Sequence, residues 1–228
     1  MEKILAVVAS TSILPNGAPT GFWLEELAAP YLRFTAAGYE VDIASVPGGP
    51  VRHDPSSEQE AFLTGDGRAL LADGSVGTKL KYTLCVASVN PAEYAAVFLV
   101  GGVPAAVDFD GKPALNRLLS AFIEQGKVIG GVCHGVIGLT TVRTNEGVLA
   151  AEGHPMTGFS YAEEVALDLL PVVAVVPEER LTMIGAAYRK AAEPFGACVA
   201  EGPLFITGQN PASAGPAADA VIARLRKT

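Results

Sequence analysis

Short apolar runs that alternate with longer amphipathic stretches are the feature of this sequence that most restricts its fold. Three of the runs are apolar at nearly every position, as parallel strands covered on both faces are. The amphipathic stretches carry apolar residues at helical spacing and end at glycine or in basic residues. The alternation therefore predicts a doubly wound α/β fold, with a mostly parallel sheet flanked by helices. The predicted strands are 4–10, 39–46, 94–102, 127–133 and 204–208, and the predicted helices are 21–38, 112–126 and 211–228.

Two segments interrupt this rhythm without suggesting a second domain. Residues 47–90 begin with a stretch rich in Gly, Pro, Ser and Asp and contain a weak helical pattern, which predicts a surface excursion beside the core. Residues 143–202 are mixed, with one candidate strand at 154–160 and two candidate helices after it. Because no repeat and no polar linker is visible, we expect a single domain over residues 1–228.

The charge and the cysteines restrict the classes of partner and the compartment. The chain has a formal net charge of −8, and phosphate binding needs clustered Lys and Arg, so neither nucleic acid nor an anionic membrane is an expected partner. The first ten residues are typical of a buried strand and not of a signal peptide. The cysteines at 85, 133 and 198 cannot all pair and form no CxxC motif. We therefore expect free thiols in a reducing cytoplasm.

The segment IGGVCHGV at 129–136 is the strongest candidate for chemistry. An apolar strand that meets Gly-x-Cys-His-Gly and then a helical stretch predicts a nucleophile elbow with Cys133 at the apex. Gly131 and Gly135 would supply the room that a sharp turn needs. The N-terminus of the following helix would favour a thiolate, and nearby backbone N–H groups could hold an oxyanion.

Two other interpretations of this cysteine must be compared with the nucleophile. A free cysteine is most often a buried structural residue, and Cys85 and Cys198 fit that description better than Cys133 does. A metal site needs more soft ligands than one Cys and one His, so no metal and no cofactor is expected. A second strand ends at Gly101 and Gly102, and ligands collect at the carboxyl ends of strands in such sheets. These glycines are therefore candidates for substrate or oxyanion binding.

Five motifs in order along the chain resemble the ThiJ/PfpI superfamily, within it the HchA-like, heat-shock-protein-31-like branch. They cover the chain from end to end, and their combination is far more specific than the CHG triplet alone. The resemblance implies a flavodoxin-like, class I glutamine amidotransferase-like fold. The motifs are TGFWLEELAAPY (20–31), HDPSS (53–57), GGVCHG (130–135), MTGFSYAEE (156–164) and ITGQNPASA (206–214).

The resemblance also implies roles for individual residues. Cys133 would be the nucleophile and His134 its neighbour in a Cys-His-acid arrangement. Glu26 would be the carboxyl that contacts the thiol, whereas Glu25 would be a solvated charge on the same helix. Such a set is chemically coherent, because a carboxyl beside a thiol can move a proton.

The acid that orients His134 would be Glu164, with Glu163 as the alternative. A carboxylate in this position fixes the tautomer of the imidazole. The remaining histidines have simpler interpretations: His53 would lie in a loop at the rim of the pocket, and His154 would be exposed or act as a cap. Phe22 and Trp23 could line the pocket or belong to the core.

The sequence departs from the resemblance after the third predicted long strand. Relatives in this branch often carry Gly-Gly-His-Gly there, but Val103 and Pro104 stand at the last two positions, while Asp108 remains. One wall of the pocket is therefore apolar and stiffer, which puts in question any activity in which that histidine takes part.

Three functions remain open from the sequence. The resemblance implies a glutathione-independent glyoxalase that converts methylglyoxal into D-lactate through a Cys133 hemithioacetal, with Glu26 as general acid and base. The alternatives are a cysteine amidase or peptidase that uses Cys133, His134 and Glu164, and a stress chaperone that binds unfolded clients. Relatives commonly form homodimers, so a homodimer is expected here.

Overall fold

The computed structural model describes residues 2–227 and is built on one seven-stranded sheet. The strand order is β3-β2-β1-β4-β5-β9-β8, and every neighbouring pair is parallel except β8 with β9. A separate parallel pair is formed by β6 and β7. The strands are β1 Lys3–Val7, β2 Glu40–Ser45, β3 Leu84–Cys85, β4 Tyr94–Leu99, β5 Val128–Val132, β6 Pro155–Met156, β7 Ala187–Tyr188, β8 Val199–Glu201 and β9 Phe205–Gly208.

Helices cover both faces of the sheet, which explains the continuously apolar strands. Alternate residues of β1 enter different cores: Ile4 packs on the side of α1 and α8, and Leu5 on the side of α5. This arrangement confirms the predicted mostly parallel, doubly wound fold. The helices are α1 Leu24–Ala36, α2 Gly65–Ala72, α3 Gly74–Lys81, α4 Ala105–Asp108, α5 Pro113–Glu124, α6 Tyr161–Ala166, α7 Pro177–Met183 and α8 Pro211–Leu225.

The segments that interrupt the sequence pattern contribute more than was predicted. Residues 47–90 supply not only a surface excursion with α2 and α3 but also β3, which forms one edge of the sheet. Residues 143–202 supply β6, α6 and α7 as expected, and also β7 and the other edge strand, β8. Both edge strands are only two or three residues long, too short for a period-2 pattern to reveal.

The centre of the sheet brings two glycine-rich strand ends together. Strands β4 and β5 are parallel neighbours, with Leu99 in register with Gly131. Gly101 and Gly102 therefore follow β4 beside the point where Cys133 follows β5, at the edge where such sheets bind ligands. Among residues 2–227, no helix has the length and apolar character required to cross a bilayer.

Candidate active site

Cys133 occupies a strained turn at the end of β5. Its φ is 57°, in the left-handed region that non-glycine residues adopt only at a cost. Gly135 needs to be small, because a Cβ there would lie 2.5 Å from the carbonyl oxygen of Leu99. The prediction that Gly131 must also be small is wrong, since a Cβ there would meet only ordinary contacts at 3.5 Å or more.

The element that follows the turn differs from the predicted helix. Cys133–Leu139 is a 3₁₀ helix of seven buried residues, not an α-helix. The N–H of His134, at the start of this element, faces the sulfur and lowers the pKa of the Cys133 thiol. The turn directs the side chain of Cys133 toward groups from two other parts of the chain, Glu26 in α1 and Gly102 after β4.

Cys133, His134 and Glu164 form a hydrogen-bonded chain in the interior. The Sγ of Cys133 lies 3.3 Å from Nδ1 of His134, and Nε2 of His134 lies 2.8 Å from Oε1 of Glu164. Both His134 and Glu164 are buried, and the ring of Phe159 packs against the imidazole. A hydrogen bond from Nε2–H to the carboxylate leaves Nδ1 free to accept the proton of the thiol.

Glu26 lies on the other side of the sulfur. It is the third residue of α1 and is completely buried. A Cβ added to Gly101 would overlap its Oε2 and would lie 2.7 Å from Cβ of Cys133, which shows how closely these groups approach. Neither carboxyl oxygen of Glu26 has a hydrogen-bond partner of ordinary geometry among the described residues. The site thus holds a carboxyl group that folding alone does not explain.

Burial changes the proton affinity of both groups. It raises the pKa of Glu26 to about 8, against the opposing effect of the Cys133 thiol and the backbone N–H of Gly101. Burial and the charge of an ionised Glu26 raise the pKa of Cys133, and the N–H groups of His134 and Gly102 lower it. The backbone N–H groups act on the thiolate as the sequence predicts, but desolvation disfavours the charged form and outweighs them. Burial therefore favours the protonated form of both groups.

The backbone N–H groups of Gly101 and Gly102 face different parts of the site. The N–H of Gly102 faces the sulfur, as an oxyanion donor would, whereas that of Gly101 faces Glu26. Gly102 has a φ of 104°, and a Cβ there would lie 2.6 Å from the carbonyl oxygen of Gly21. The N–H of Trp23 donates to the carbonyl of Gly101. Residues 21–23 are thus packed directly over the glycine pair.

A side-chain hydrogen bond joins two of the motifs beside this site. The hydroxyl of Thr20 donates to Asp54 over 2.8 Å, and the other oxygen of Asp54 accepts from the N–H of Ser56 at the start of a 3₁₀ turn. His53 pairs with Glu58 and meets the edge of Phe22. The motifs TGFW and HDPSS therefore form one support for the segment that covers Gly102.

Several other predicted positions lie away from the reacting groups. The carboxylate of Asp108 accepts hydrogen bonds from Ser10 and Thr11, so it fixes the loop after β1 and is not free to line a pocket. Phe22 belongs to the core, whereas Trp23 is half-buried. His154 packs its ring against Phe205, which corrects the expectation of an exposed or capping residue.

Four more residues complete the comparison with the sequence. Cys85 and Cys198 are free thiols, both half-buried. The carboxylate of Glu25 accepts a hydrogen bond from the hydroxyl of Thr64 at the surface, on a different side of α1 from Glu26. Val103, half-buried, precedes α4.

Glu163 is the residue whose importance the sequence reasoning missed. It does not contact His134; instead its carboxylate accepts hydrogen bonds from Ser160, Phe195, Gln209 and Asn210. The pattern Ser-x-x-Glu at 160–163 is a capping box, and that signal was readable in the sequence. In residues 2–227 no group of three or more His, Cys, Asp or Glu side chains is arranged to hold a metal ion.

Comparisons with known proteins agree with this geometry. Residues 18–214 match the model of the DJ-1/PfpI family. The chain is 30% identical to "Probable glutathione-independent glyoxalase hsp3103" of Schizosaccharomyces pombe, over 87% of this chain and 88% of that protein. It is 26% identical to "Glyoxalase 3" of Candida albicans, over 98% of each.

A solved structure extends the similarity to the whole fold. The Rapid Encystment Protein of 24 kDa from Francisella tularensis superposes with a TM-score of 0.93 at 32% identity, over 99% of each chain. Matches of this extent cover both the elbow and the segments that bring Glu26 and Glu164 to it. The chain therefore belongs to the DJ-1/PfpI family.

Proposed function

We propose that this protein is a glutathione-independent glyoxalase that converts methylglyoxal into D-lactate. Two of the relatives above bear the name glyoxalase, and their similarity extends over nearly the whole chain. The observation that carries the proposal is the buried pair of Glu26 and Cys133. Isomerisation of a 2-oxoaldehyde needs a nucleophile and a group that moves a proton at the same place, and this pair supplies both.

The first step forms a bond between sulfur and the aldehyde carbon. The thiol proton of Cys133 passes to Nδ1 of His134, and the carboxylate of Glu164 stabilises the imidazolium. The thiolate then attacks the aldehyde carbon, and the π electrons of the carbonyl move to its oxygen. The imidazolium of His134 returns the proton to that oxygen, and the product is a hemithioacetal. The N–H groups of Gly102 and His134, which face the sulfur, are placed to stabilise the oxygen that becomes negative.

The second step moves one proton between adjacent carbons. The carboxylate form of Glu26 removes the proton from the former aldehyde carbon, and the electron pair forms a C=C bond to the ketone carbon, which gives an enediolate. Glu26 then returns the proton to the neighbouring carbon, and the hydroxyl proton of the former aldehyde carbon moves to the former ketone oxygen. The product is a 2-hydroxyacyl thioester on Cys133. Water then cleaves the thioester, which releases the hydroxy acid and restores the thiol. The substrate is oxidised at one carbon and reduced at the next, so no external oxidant, reductant or glutathione is consumed.

The hydrolase alternative has weaker support. The chain Cys133–His134–Glu164 could serve an amidase, but amide hydrolysis gives no role to the buried carboxyl of Glu26 beside the sulfur. Cys133 is also only 4% exposed. That degree of burial favours a small carbonyl compound over a polypeptide.

The test is formation of D-lactate from methylglyoxal in the absence of glutathione. The wild type should produce it, Cys133→Ser should not, and Cys85→Ser should match the wild type, because Cys85 is remote from the reacting groups. Hydrolysis of small amides by the wild type without lactate formation would support the hydrolase instead. Suppression of client aggregation that survives Cys133→Ala would support the chaperone.

The remaining expectations belong to the same proposal. We infer a single domain over residues 1–228, since β1 and β9 come from opposite ends of the chain and share one sheet. A homodimer, binding of unfolded clients and a cytoplasmic location stay predictions that follow from the resemblance and from the free cysteines.

A further inference from the structure

α6 is an unusual helix because its two buried residues are both glutamates. Of its six residues only Glu163 and Glu164 are buried, while Tyr161 and Val165 are exposed. A short surface helix is ordinarily held by an apolar stripe that packs on the core. The position of α6 must therefore depend on what its two carboxylates bind.

The two glutamates hold the helix to very different extents. Glu164 makes one hydrogen bond, to His134, and its second oxygen has no partner among the described residues. Glu163 accepts five hydrogen bonds at 2.7 to 2.9 Å. Bonds to an ionised acceptor are stronger than neutral ones. Glu163 is therefore the main anchor of the helix.

The donors to Glu163 come from three separate segments. Its Oε1 accepts from the backbone N–H of Phe195 and from the amide of Asn210. Its Oε2 accepts from the N–H and hydroxyl of Ser160 and from the amide of Gln209. Gln209 and Asn210 directly follow β9, the parallel neighbour of β5. Glu163 thus ties α6 to the strand next to the one that carries the nucleophile.

We propose that Glu163 is a positioning residue that holds Glu164 in hydrogen-bond contact with His134. Adjacent helical residues point about 100° apart, so fixing the first carboxylate toward β9 directs the second toward the imidazole. The turnover test of this inference rests on the proposed function. The test that observes the ring N–H of His134 does not. Glu163 contacts neither substrate nor the reacting sulfur.

Glu163→Gln tests this with almost no change in shape. Whichever way the new amide turns, its NH₂ group faces donors that the carboxylate accepted, so α6 should lose its fixed position. Glu178→Gln is a matched control, because Glu178 also accepts a hydrogen bond from α6, at the N–H of Tyr161, but lies on its outer side and pairs with Lys190. Both variants remove one negative charge from a contact with the same helix.

Two measurements separate positioning from stability. We expect Glu163→Gln to lower kcat per folded molecule by about tenfold or more, with KM within about twofold, since small misplacements of catalytic groups cost rate. The chain has only three histidines, so ¹⁵N labelling of histidine can identify the ring N–H of His134. That signal should be sharp in the wild type and in Glu178→Gln, and lost or broadened in Glu163→Gln.

A milder variant covers the case in which Glu163→Gln does not fold. Ser160→Ala removes one hydroxyl donor and keeps the backbone donor, and we expect a smaller fall in kcat with partial broadening of the His134 signal. Unchanged kcat and an unchanged His134 signal in the folded variants would overturn the proposal. If the wild type has no turnover, the proposed function fails, and the His134 signal alone still decides the role of Glu163.

Discussion

The carboxyl of Glu26 lies against the thiol of Cys133 in a buried pair, although one residue belongs to α1 and the other follows β5. Folding gains little from this contact, because desolvation raises the pKa of both groups. A buried polar group without a structural reason is a candidate for chemistry. The first three predictions concern this pair.

Replacing Glu26 by Gln should abolish turnover and leave the fold intact. The amide keeps the shape of the side chain but cannot accept a proton from carbon, so we expect kcat to fall by about 10²- to 10⁴-fold. The measurement is D-lactate formation together with the circular dichroism of the variant. Glu25→Gln is the control on the same helix, with an expected change within about twofold; equal activity of both variants would refute the role of Glu26.

The rate should increase with pH through the range in which Glu26 ionises. Its pKa is raised to about 8 by burial, so only a minority of molecules carry the required carboxylate at pH 7. We expect kcat/KM to rise toward pH 8 and then level off, since this parameter reports the groups of the free enzyme. A profile that is flat between pH 6 and pH 9 would contradict the assignment of Glu26 as the base.

Stability should change in the opposite direction over the same range. Burial raises the pKa of Glu26 in the folded protein from its ordinary value of 4.5 to about 8, so the folded state binds more protons than the unfolded state between these pH values. The free energy of unfolding therefore falls as pH rises from 4.5 to 8. Glu26→Gln should remove this component and be more stable than the wild type at pH 8.5 by a few kcal/mol, on the order of 1.4 kcal/mol for each pKa unit. Urea unfolding at pH 5 and pH 8.5 measures the difference.

Two glycines near the elbow should respond differently to the same substitution. Gly135→Ala places a Cβ 2.5 Å from the carbonyl oxygen of Leu99, whereas Gly131→Ala meets its nearest atom at 3.5 Å. We expect Gly135→Ala to lower the free energy of unfolding by roughly 1–3 kcal/mol through overpacking. Gly131→Ala should leave it unchanged or slightly higher, because alanine is favoured over glycine in a strand. Equal effects of the two substitutions in urea unfolding would contradict the close approach of residue 135 to the carbonyl of Leu99.

The sequence predicts the centre of this fold far better than its edges. Apolar runs reveal β1, β4 and β5 because burial on both faces imposes a nearly continuous pattern. The edge strand β3 contains only Leu84 and Cys85, and in so short a strand no alternation of apolar and polar residues can be recognised. Its place in the sheet depends on pairing with β2 (residues 40–45). A local sequence pattern does not reveal such a long-range contact.

The candidate site was predictable in identity but not in its electrostatics. The motifs place Cys133, His134, Glu26 and Glu164 at a common edge of the sheet, and the geometry brings them together there. The sequence indicates backbone N–H groups that lower the pKa of Cys133, and the N–H of His134 has this effect. The larger, opposing effect of burial cannot be read from the local sequence. The extent of the role of Glu163 was missed for a related reason. Ser160 is close to it in sequence, but its other three donors, Phe195, Gln209 and Asn210, lie in segments distant along the chain.

The left-handed backbone of Cys133 has a consequence for how this protein can vary. Glycine is the residue that adopts a φ of 57° at no steric cost, yet glycine at this position would carry no reactive group. The chain therefore maintains a local conformational penalty of about 1–2 kcal/mol in order to present sulfur at the turn. Selection for folding stability and selection for reactivity act in opposite directions at this one position, so a catalyst of this design is not the most stable version of its own fold.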